Sequence, residues 1–152
     1  VAMNLTLYLE VGEREFAPWS IALRHLDQMQ TLLNQNPLWH RYVLRLLQPI
    51  NTVIGWKDDG PHLMRKFRRA LFDLALQYGD EKVVAKARHE FKQWLKSGRF
   101  IVPNLQELVY VGGLRYGGDQ TEWFACWQKY QQLVAADQQA SLFVGPNGTV
   151  SI

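Results

Sequence analysis

The sequence predicts an all-α protein built as a solenoid of antiparallel helix hairpins. Apolar residues recur at helical spacing through most of the 152 residues. A glycine followed by an aspartate separates helical segments of similar length at Gly79-Asp80 and again at Gly118-Asp119. The alternation of apolar and polar residues that is typical of strands is almost absent. These observations together predict three to four hairpins stacked one after another.

The first third of the chain predicts the end of one helix and then two complete helices. Asn4 to Leu9 has the pattern of a helix end, with Gly12 just beyond it. Apolar residues keep helical period from Trp19 to Leu33, after a proline that suits a first helical turn. A second helix is predicted from Leu38 to Ile50, with a bend at its internal proline, before Gly55 ends the run.

The segment from Pro61 to Tyr78 predicts a helix that is apolar on two sides. One stripe consists of Leu63, Phe67, Ala70, Leu71, Leu74 and Tyr78. At about 100° per residue, Phe72 and Leu76 fall opposite that stripe. Since a surface helix needs one apolar stripe, this helix is expected to be sandwiched between neighbours.

The second half of the chain predicts one further helix and then a tight hairpin. Val83 to Leu95 is helical and ends at Ser97-Gly98. The stretch from Pro103 to Tyr130 contains two helical patterns that are expected to fold back on each other and share a core. Between them, Gly117-Gly118 predicts a left-handed helix end, and Asp119 predicts an N-cap. Gln131 to Leu142 is predicted to complete the last helix.

Four segments in a fixed order carry a resemblance to a known family. They are EFAPW at Glu15–Trp19 followed by Ala22-Leu23, GW at Gly55-Trp56, the run from Gly79-Asp80 through Phe91 to Trp94-Leu95, and the Pro103–Tyr130 stretch. Each is weak alone, but their order and spacing over about residues 5–130 resemble the C-terminal helical domain of zinc aminopeptidases. This is the family of aminopeptidase N, the insulin-regulated aminopeptidase and the endoplasmic-reticulum aminopeptidases.

The resemblance implies a fold, a division of the chain and a function. The fold is a right-handed, HEAT- or armadillo-like solenoid, with residues 1–143 as a partial C-terminal domain and residues 144–152 as a flexible tail. The implied function is noncatalytic, namely to help enclose the peptide-substrate chamber of a parent enzyme. The implied partners are the rest of the parent and the peptide substrate. The alternative is a protein-interaction or dimerisation module of a noncatalytic relative.

Catalytic and metal-binding residues are predicted to be absent from this chain. The family's His-Glu-x-x-His helix and its Gly-x-Met-x-Asn loop are both missing, so zinc is implied for the parent's catalytic domain alone. The four histidines, His25, His40, His62 and His89, form no i, i+4 pair of the kind that presents two ligands on one helical face. The single cysteine, Cys126, lies between two tryptophans and is expected to pack in the core.

Basic residues provide the candidate binding site. Arg65, Lys66, Arg68 and Arg69 cluster on the predicted Pro61–Tyr78 helix, where they spread over more than half of its circumference. A solvated face with salt bridges is the plain interpretation. Arginine also pairs with carboxylates in a bidentate manner, so Arg65, Arg69 and Arg115 are candidates for binding peptide. Nucleic-acid binding is the weakest hypothesis, because the net charge of +3 is small.

Two sequons and the lack of a membrane segment bear on location. Asn4-Leu5-Thr6 and Asn147-Gly148-Thr149 are candidate glycosylation sites in a secretory compartment. No stretch is long and apolar enough to span a bilayer. The resemblance implies an extracellular or secretory-lumen location, with a membrane anchor expected before Val1, and a cytosolic location stays open.

Overall fold

All regular structure in the described part of the chain is helical. The computed structural model describes residues 2–33 and 36–142, with side chains for residues 6–33 and 36–136. A short 3₁₀ helix, Ala2–Leu9, comes first. The six α-helices that follow are α1 (Phe16–Leu33), α2 (Pro37–Ile54), α3 (His62–Gln77), α4 (Glu81–Ser97), α5 (Pro103–Arg115) and α6 (Gln120–Leu142). The all-α prediction is confirmed.

The starts of α4 and α6 follow the predicted capping chemistry. The Asp80 carboxylate accepts the backbone N–H groups of Lys82 and Val83, at 3.1 and 3.0 Å, and so caps α4. Asp119 accepts the N–H of Glu122 at 2.7 Å, which confirms the cap predicted for the last helix. These contacts satisfy N–H groups that have no partner within the helix itself.

Two helix ends use glycine for its backbone freedom. Gly55 follows α2 with φ +61°, and Gly98 follows α4 with φ +67°. Residues with a Cβ rarely adopt these positive values. The predicted stops at both glycines are therefore confirmed.

The predicted left-handed turn at Gly117-Gly118 is wrong, since neither glycine has a positive φ. α5 instead ends at Arg115, and the C-cap residue that follows, Tyr116, has a φ of −105°. The reason for glycine here is a close approach of other atoms. A Cβ at Gly117 would collide with the Arg88 guanidinium, and one at Gly118 would lie 2.8 Å from the carbonyl oxygen of Leu114.

The N-terminal part differs in detail from the prediction. The segment predicted as a helix end is a 3₁₀ helix, which has i→i+3 hydrogen bonds. α2 continues through Pro49 to Ile54. Leu63, assigned above to the buried stripe of α3, is 56% exposed, because it lies in the first turn of that helix.

α3 lies at the centre of the packing. It contacts α1, α2, α4 and α5, while α4 packs most extensively against α5. Both sides of α3 are buried, since Phe67 and Leu71 on one side and Phe72 and Leu76 on the other are at most 3% exposed. The sandwiched helix is confirmed. Alternate helices α1, α3 and α5 touch in succession, and α4 touches α6.

α6 departs from the expected hairpin. Among its described side chains none is buried, and its large apolar residues Trp123, Phe124, Trp127, Tyr130 and Leu133 are 43–63% exposed. The shared core predicted for the α5–α6 pair therefore belongs mainly to α4 and α5. None of the described helices combines the length and hydropathy that crossing a bilayer requires.

Candidate functional site

Arg68, one of the basic cluster, is a buried structural residue. It is 3% exposed. Its Nε donates to the carbonyl of Ile54 at 3.3 Å, Nη1 donates to the carbonyl of Asp59 at 3.1 Å, and Nη2 donates to the Asp59 carboxylate at 3.1 Å. Asp58 adds a second carboxylate 4.0 Å from Nη1. The guanidinium of Arg68 thus connects α3 to the end of α2 and to the α2–α3 loop through hydrogen bonds.

Arg69 joins α3 to α5. Its Nε donates to Asp73 at 2.6 Å, Nη1 to the carbonyl of Asn104 at 3.0 Å, and Nη2 to Glu107 at 2.8 Å. Burial alone would lower the pKa of Arg69, but the hydrogen bonds to the two carboxylates outweigh it and raise that pKa. Burial also raises the pKa of Asp73. The raised pKa of Asp73 means that burial disfavours its charged form more than Arg69 stabilises it. We therefore attribute the contact between α3 and α5 to the three hydrogen bonds that Arg69 donates, and not to the Asp73 ion pair alone.

Arg65 and Arg115 leave more of their donors available. The Arg65 side chain is 43% exposed and lies 3.9 Å from Asp58, a loose contact. Its backbone carbonyl accepts the Asn104 amide at 3.2 Å, beside the Arg69 junction. Arg115 is exposed at the end of α5, with its guanidinium 5.5 Å from the ring of Tyr116. Peptide binding by Arg65, Arg69 and Arg115 stays a prediction.

The histidines are dispersed over the surface. His25, His62 and His89 are exposed, and the ring of His40 meets Tyr78 edge-on at 5.0 Å. The described residues contain no group of three or more His, Cys, Asp or Glu side chains that could hold a metal ion. The part of the chain that the structure describes therefore does not fit a zinc centre.

Cys126 is half-buried on α6. Burial raises the pKa of its thiol, so the fraction in the nucleophilic thiolate form falls. Tyr110 of α5 lies close enough for its own pKa to be raised by burial and, to a lesser degree, by Cys126. The environment is that of a packing residue at the edge of the core.

α6 is held to α4 by polar contacts along one side. Lys129 Nζ donates to the carbonyl of Trp94 at 3.1 Å and lies 5.1 Å from its ring. Lys92 of α4 lies 3.5 Å from Glu122. Since Glu122, Cys126 and Lys129 follow helical spacing, they define the packed side of α6.

A row of aromatic rings borders that packed side. Trp123 and Trp127 are stacked with ring centroids 6.1 Å apart, and Trp127 and Tyr130 with centroids 5.4 Å apart. We call Trp123, Trp127 and Tyr130 the α6 aromatic row. All three rings are about half exposed. A contiguous aromatic surface of this kind is typical of binding surfaces.

The sites predicted near the chain ends fall partly outside the described residues. Asn4 lies in the 3₁₀ helix at a position whose side chain is not described, and Asn147 and the proposed tail, residues 144–152, lie outside the described ranges. Glycosylation at both asparagines and the division at residue 143 stay predictions.

Sequence reasoning missed the close packing of α4 and α5. Gly112 and Gly113 lie inside α5 and are buried. A Cβ at Gly112 would lie 2.6 Å from the Cβ of Ala87, and one at Gly113 would collide with the Phe91 side chain. The sequence does contain a signal for this packing, namely two adjacent glycines inside a helical pattern. Glycine inside a helix lowers its stability, so its presence there often indicates that a neighbouring element packs closely against it.

The fold and these contacts define the chain as a helical domain in which ion pairs of Arg68 and Arg69 link neighbouring segments, with no metal cluster in its described part. Residues 1–144 match the family model described as the ERAP1-like C-terminal domain. The chain belongs to this family of C-terminal domains of aminopeptidases.

The similar proteins are aminopeptidases. The chain is 28% identical to glutamyl aminopeptidase of Mus musculus over 149 residues and 30% identical to that of Sus scrofa over 148 residues, each match covering 95% of the chain. It is 24% identical to aminopeptidase N of Mus musculus over 153 residues, covering 93% of the chain. In each comparison the chain spans 16% of the relative's length.

Proposed function

We propose that this chain is a noncatalytic C-terminal domain that helps to enclose the peptide-substrate chamber of a zinc aminopeptidase. The supporting observation is that nearly the whole chain aligns with 16% of the length of aminopeptidases. In such a parent, zinc would activate water for removal of amino-terminal residues, and its ligands would lie outside this chain. The HEAT-like, right-handed solenoid and the extracellular or secretory-lumen location belong to the same proposal.

The proposed contribution of this domain is contact with the distal part of a peptide. Arg115 and Arg65 support it, because both are partly or fully exposed cations that could pair with a peptide carboxylate. Arg69 is a weaker candidate, since its three donor groups already contact protein acceptors.

A chimera tests this proposal. Mouse glutamyl aminopeptidase would carry this chain in place of its aligned segment, and kcat/KM would be measured for a glutamyl anilide and for a longer peptide. Loss of one charge-assisted hydrogen bond costs about tenfold. We expect Arg65→Ala/Arg115→Ala to lower kcat/KM about tenfold for the long peptide and to leave the anilide unchanged. Arg24→Ala, on exposed α1 surface, is the control. An equal loss for both substrates would contradict the proposal.

The alternative function is self-association through the α6 aromatic row. The observation that favours it is the continuous stack of half-exposed rings, flanked by exposed Leu133. Sedimentation velocity over a wide range of concentration would detect association of the chain with itself. Trp123→Lys/Tyr130→Lys should abolish any concentration dependence, whereas Leu38→Lys, on exposed α2 surface, should leave it unchanged. A sedimentation coefficient independent of concentration would rule this alternative out.

A further inference from the structure

A cavity of about 310 Å³ lies between the α2–α3 loop, α4 and the α4–α5 loop. Its volume is at the lower end of the range for small-molecule sites in proteins. It is separate from the junction around Arg69 and from the α6 aromatic row. Its polar lining comes from three separate segments of sequence, which contribute Lys57, Lys86, Glu90 and Arg99.

The cavity carries an excess of positive charge. Three cations face one carboxylate, that of Glu90. Lys86 donates to Glu90 at 2.6 Å, while Arg99 approaches it only to 3.9 Å. Lys57 is exposed and makes no ion pair with any residue in the described ranges. The pKa of Glu90 is lowered, mainly by the hydrogen bond from Lys86. The positive charges of Lys86, Arg99 and His89 lower it further. One carboxylate thus leaves two of the three cations without a close partner.

The same cavity has an apolar floor and aromatic walls. Ile101, Leu105 and Val109 are nearly fully buried beneath it. Trp56 forms a fixed wall, because its ring stacks on buried Phe72 with centroids 4.7 Å apart. Phe100 also lines the cavity and is 73% exposed. A large exposed phenylalanine in a cavity whose cations outnumber its carboxylates can contact the apolar portion of an anionic ligand.

We propose that this cavity binds a carboxylate carried by an apolar or aromatic group, with Lys57 and Arg99 holding the anion. The charge excess selects an anion, and the apolar floor selects a ligand with a hydrophobic part next to its charge. Two sources have this chemistry, a free organic acid and an acidic side chain beside an aromatic residue in a protein segment. The site uses no residue of α6 and none of Arg65, Arg69 and Arg115, so it stands independently of the function proposed above.

Hydrocinnamate is the first probe, and its neutral amide is the matched control ligand. Each would be titrated into the ¹⁵N-labelled chain while the amide resonances of Lys57, Gly98 and Phe100 are followed. We expect saturable shifts with hydrocinnamate and at least about tenfold weaker binding of the amide, because the amide lacks the charge. N-acetyl-glutamyl-phenylalaninamide is the second probe. Tighter binding of this peptide would identify a protein segment as the source, and tighter binding of hydrocinnamate a free acid.

Matched variants locate the site. Lys57→Gln/Arg99→Gln should weaken hydrocinnamate binding about tenfold. Lys66→Gln/Lys96→Gln removes the same net charge from exposed positions outside the cavity and should leave affinity unchanged. Glu90→Gln should tighten binding about threefold, because it removes the competing carboxylate. The proposal is overturned if neither probe shifts these resonances saturably, if the amide binds as well as the acid, or if both double variants lose affinity equally.

Discussion

Arg68 illustrates how much the role of a basic residue depends on its surroundings. In sequence it belongs to a cluster of four basic residues among five positions, which suggests a charged surface. In the structure its guanidinium is buried and bonded to the loop before α3, while Lys66 is exposed to solvent. Burial of an arginine requires that its donors meet acceptors, and Ile54 and Asp59 provide them.

Arg68→Ala is therefore expected to lower the free energy of unfolding by about 3 kcal/mol, as for removal of one partner from a buried polar network. Arg68→Lys should recover little of it, because an ammonium group cannot reproduce the planar set of donors. Urea denaturation of the two variants and the parent chain measures both changes in the free energy of unfolding. Lys66→Ala is the matched control and should stay within about 0.5 kcal/mol of the parent chain. A similar loss in the control would contradict a structural role specific to Arg68.

The lowered pKa of Glu90 predicts how the free energy of unfolding varies with pH. Its folded-state pKa is lowered below the ordinary value of 4.5, so its ionised form stabilises the fold. That contribution is fully present above the pKa of the unfolded chain and is lost as the pH falls through the folded-state pKa. The stability difference between the parent chain and Glu90→Gln should be constant near neutral pH and shrink below about pH 4.5. Denaturant titrations at a series of pH values measure it, and a difference that grows on acidification would contradict this assignment.

At the scale of elements, the contact between α4 and α5 depends on glycine. Gly112→Ala should destabilise the chain by about 1–3 kcal/mol, since the added methyl group would crowd Ala87. Ala87→Gly makes room for that methyl group, so Gly112→Ala should cost less in the Ala87→Gly background. Thermal or urea unfolding of the four chains gives the coupling between the two positions. Strict additivity would show that the two helices do not meet at this point. Val111→Ala, at a partly exposed position, is the control on the same helix.

α3 provides the second prediction at this scale. Phe72 is completely buried on the side opposite Phe67. Phe72→Ala should cost roughly 3–5 kcal/mol, as for other buried aromatic residues, because it removes the ring that stacks on Trp56. Phe100→Ala, which truncates a ring that is 73% exposed, should cost far less. Chemical denaturation distinguishes the two, and equal midpoints would contradict the sandwiched position of α3.

At the scale of the whole molecule, we expect the isolated chain neither to retain zinc nor to cleave aminoacyl substrates. Its described residues contain no cluster of metal-binding side chains, and its sequence contains neither peptidase motif of the family. Metal analysis after dialysis and an aminoacyl-anilide assay test this expectation. Stoichiometric zinc together with hydrolysis that a chelator abolishes would contradict it.

The helical class, most helix limits, the N-caps at Asp80 and Asp119 and the family could all be predicted from the sequence. Apart from the family, these features depend on residues that are close together in the sequence. They follow from the helical period of apolar residues, the positive φ that glycine allows and the carboxylate of an N-cap such as Asp80. The order of four short segments was enough for the family resemblance, and the family model confirmed it over residues 1–144.

Which side chains meet depends on the packing of the helices. This packing buried Arg68, engaged the donors of Arg69 and left the α6 aromatic row exposed, although all three features lie in segments whose helical period was clear. It also brought Lys57 and Arg99 to one cavity from segments more than 40 residues apart in the chain. Helical period specifies which residues share a face, but the neighbour that covers that face comes from a distant part of the chain, so only the packed structure determines it.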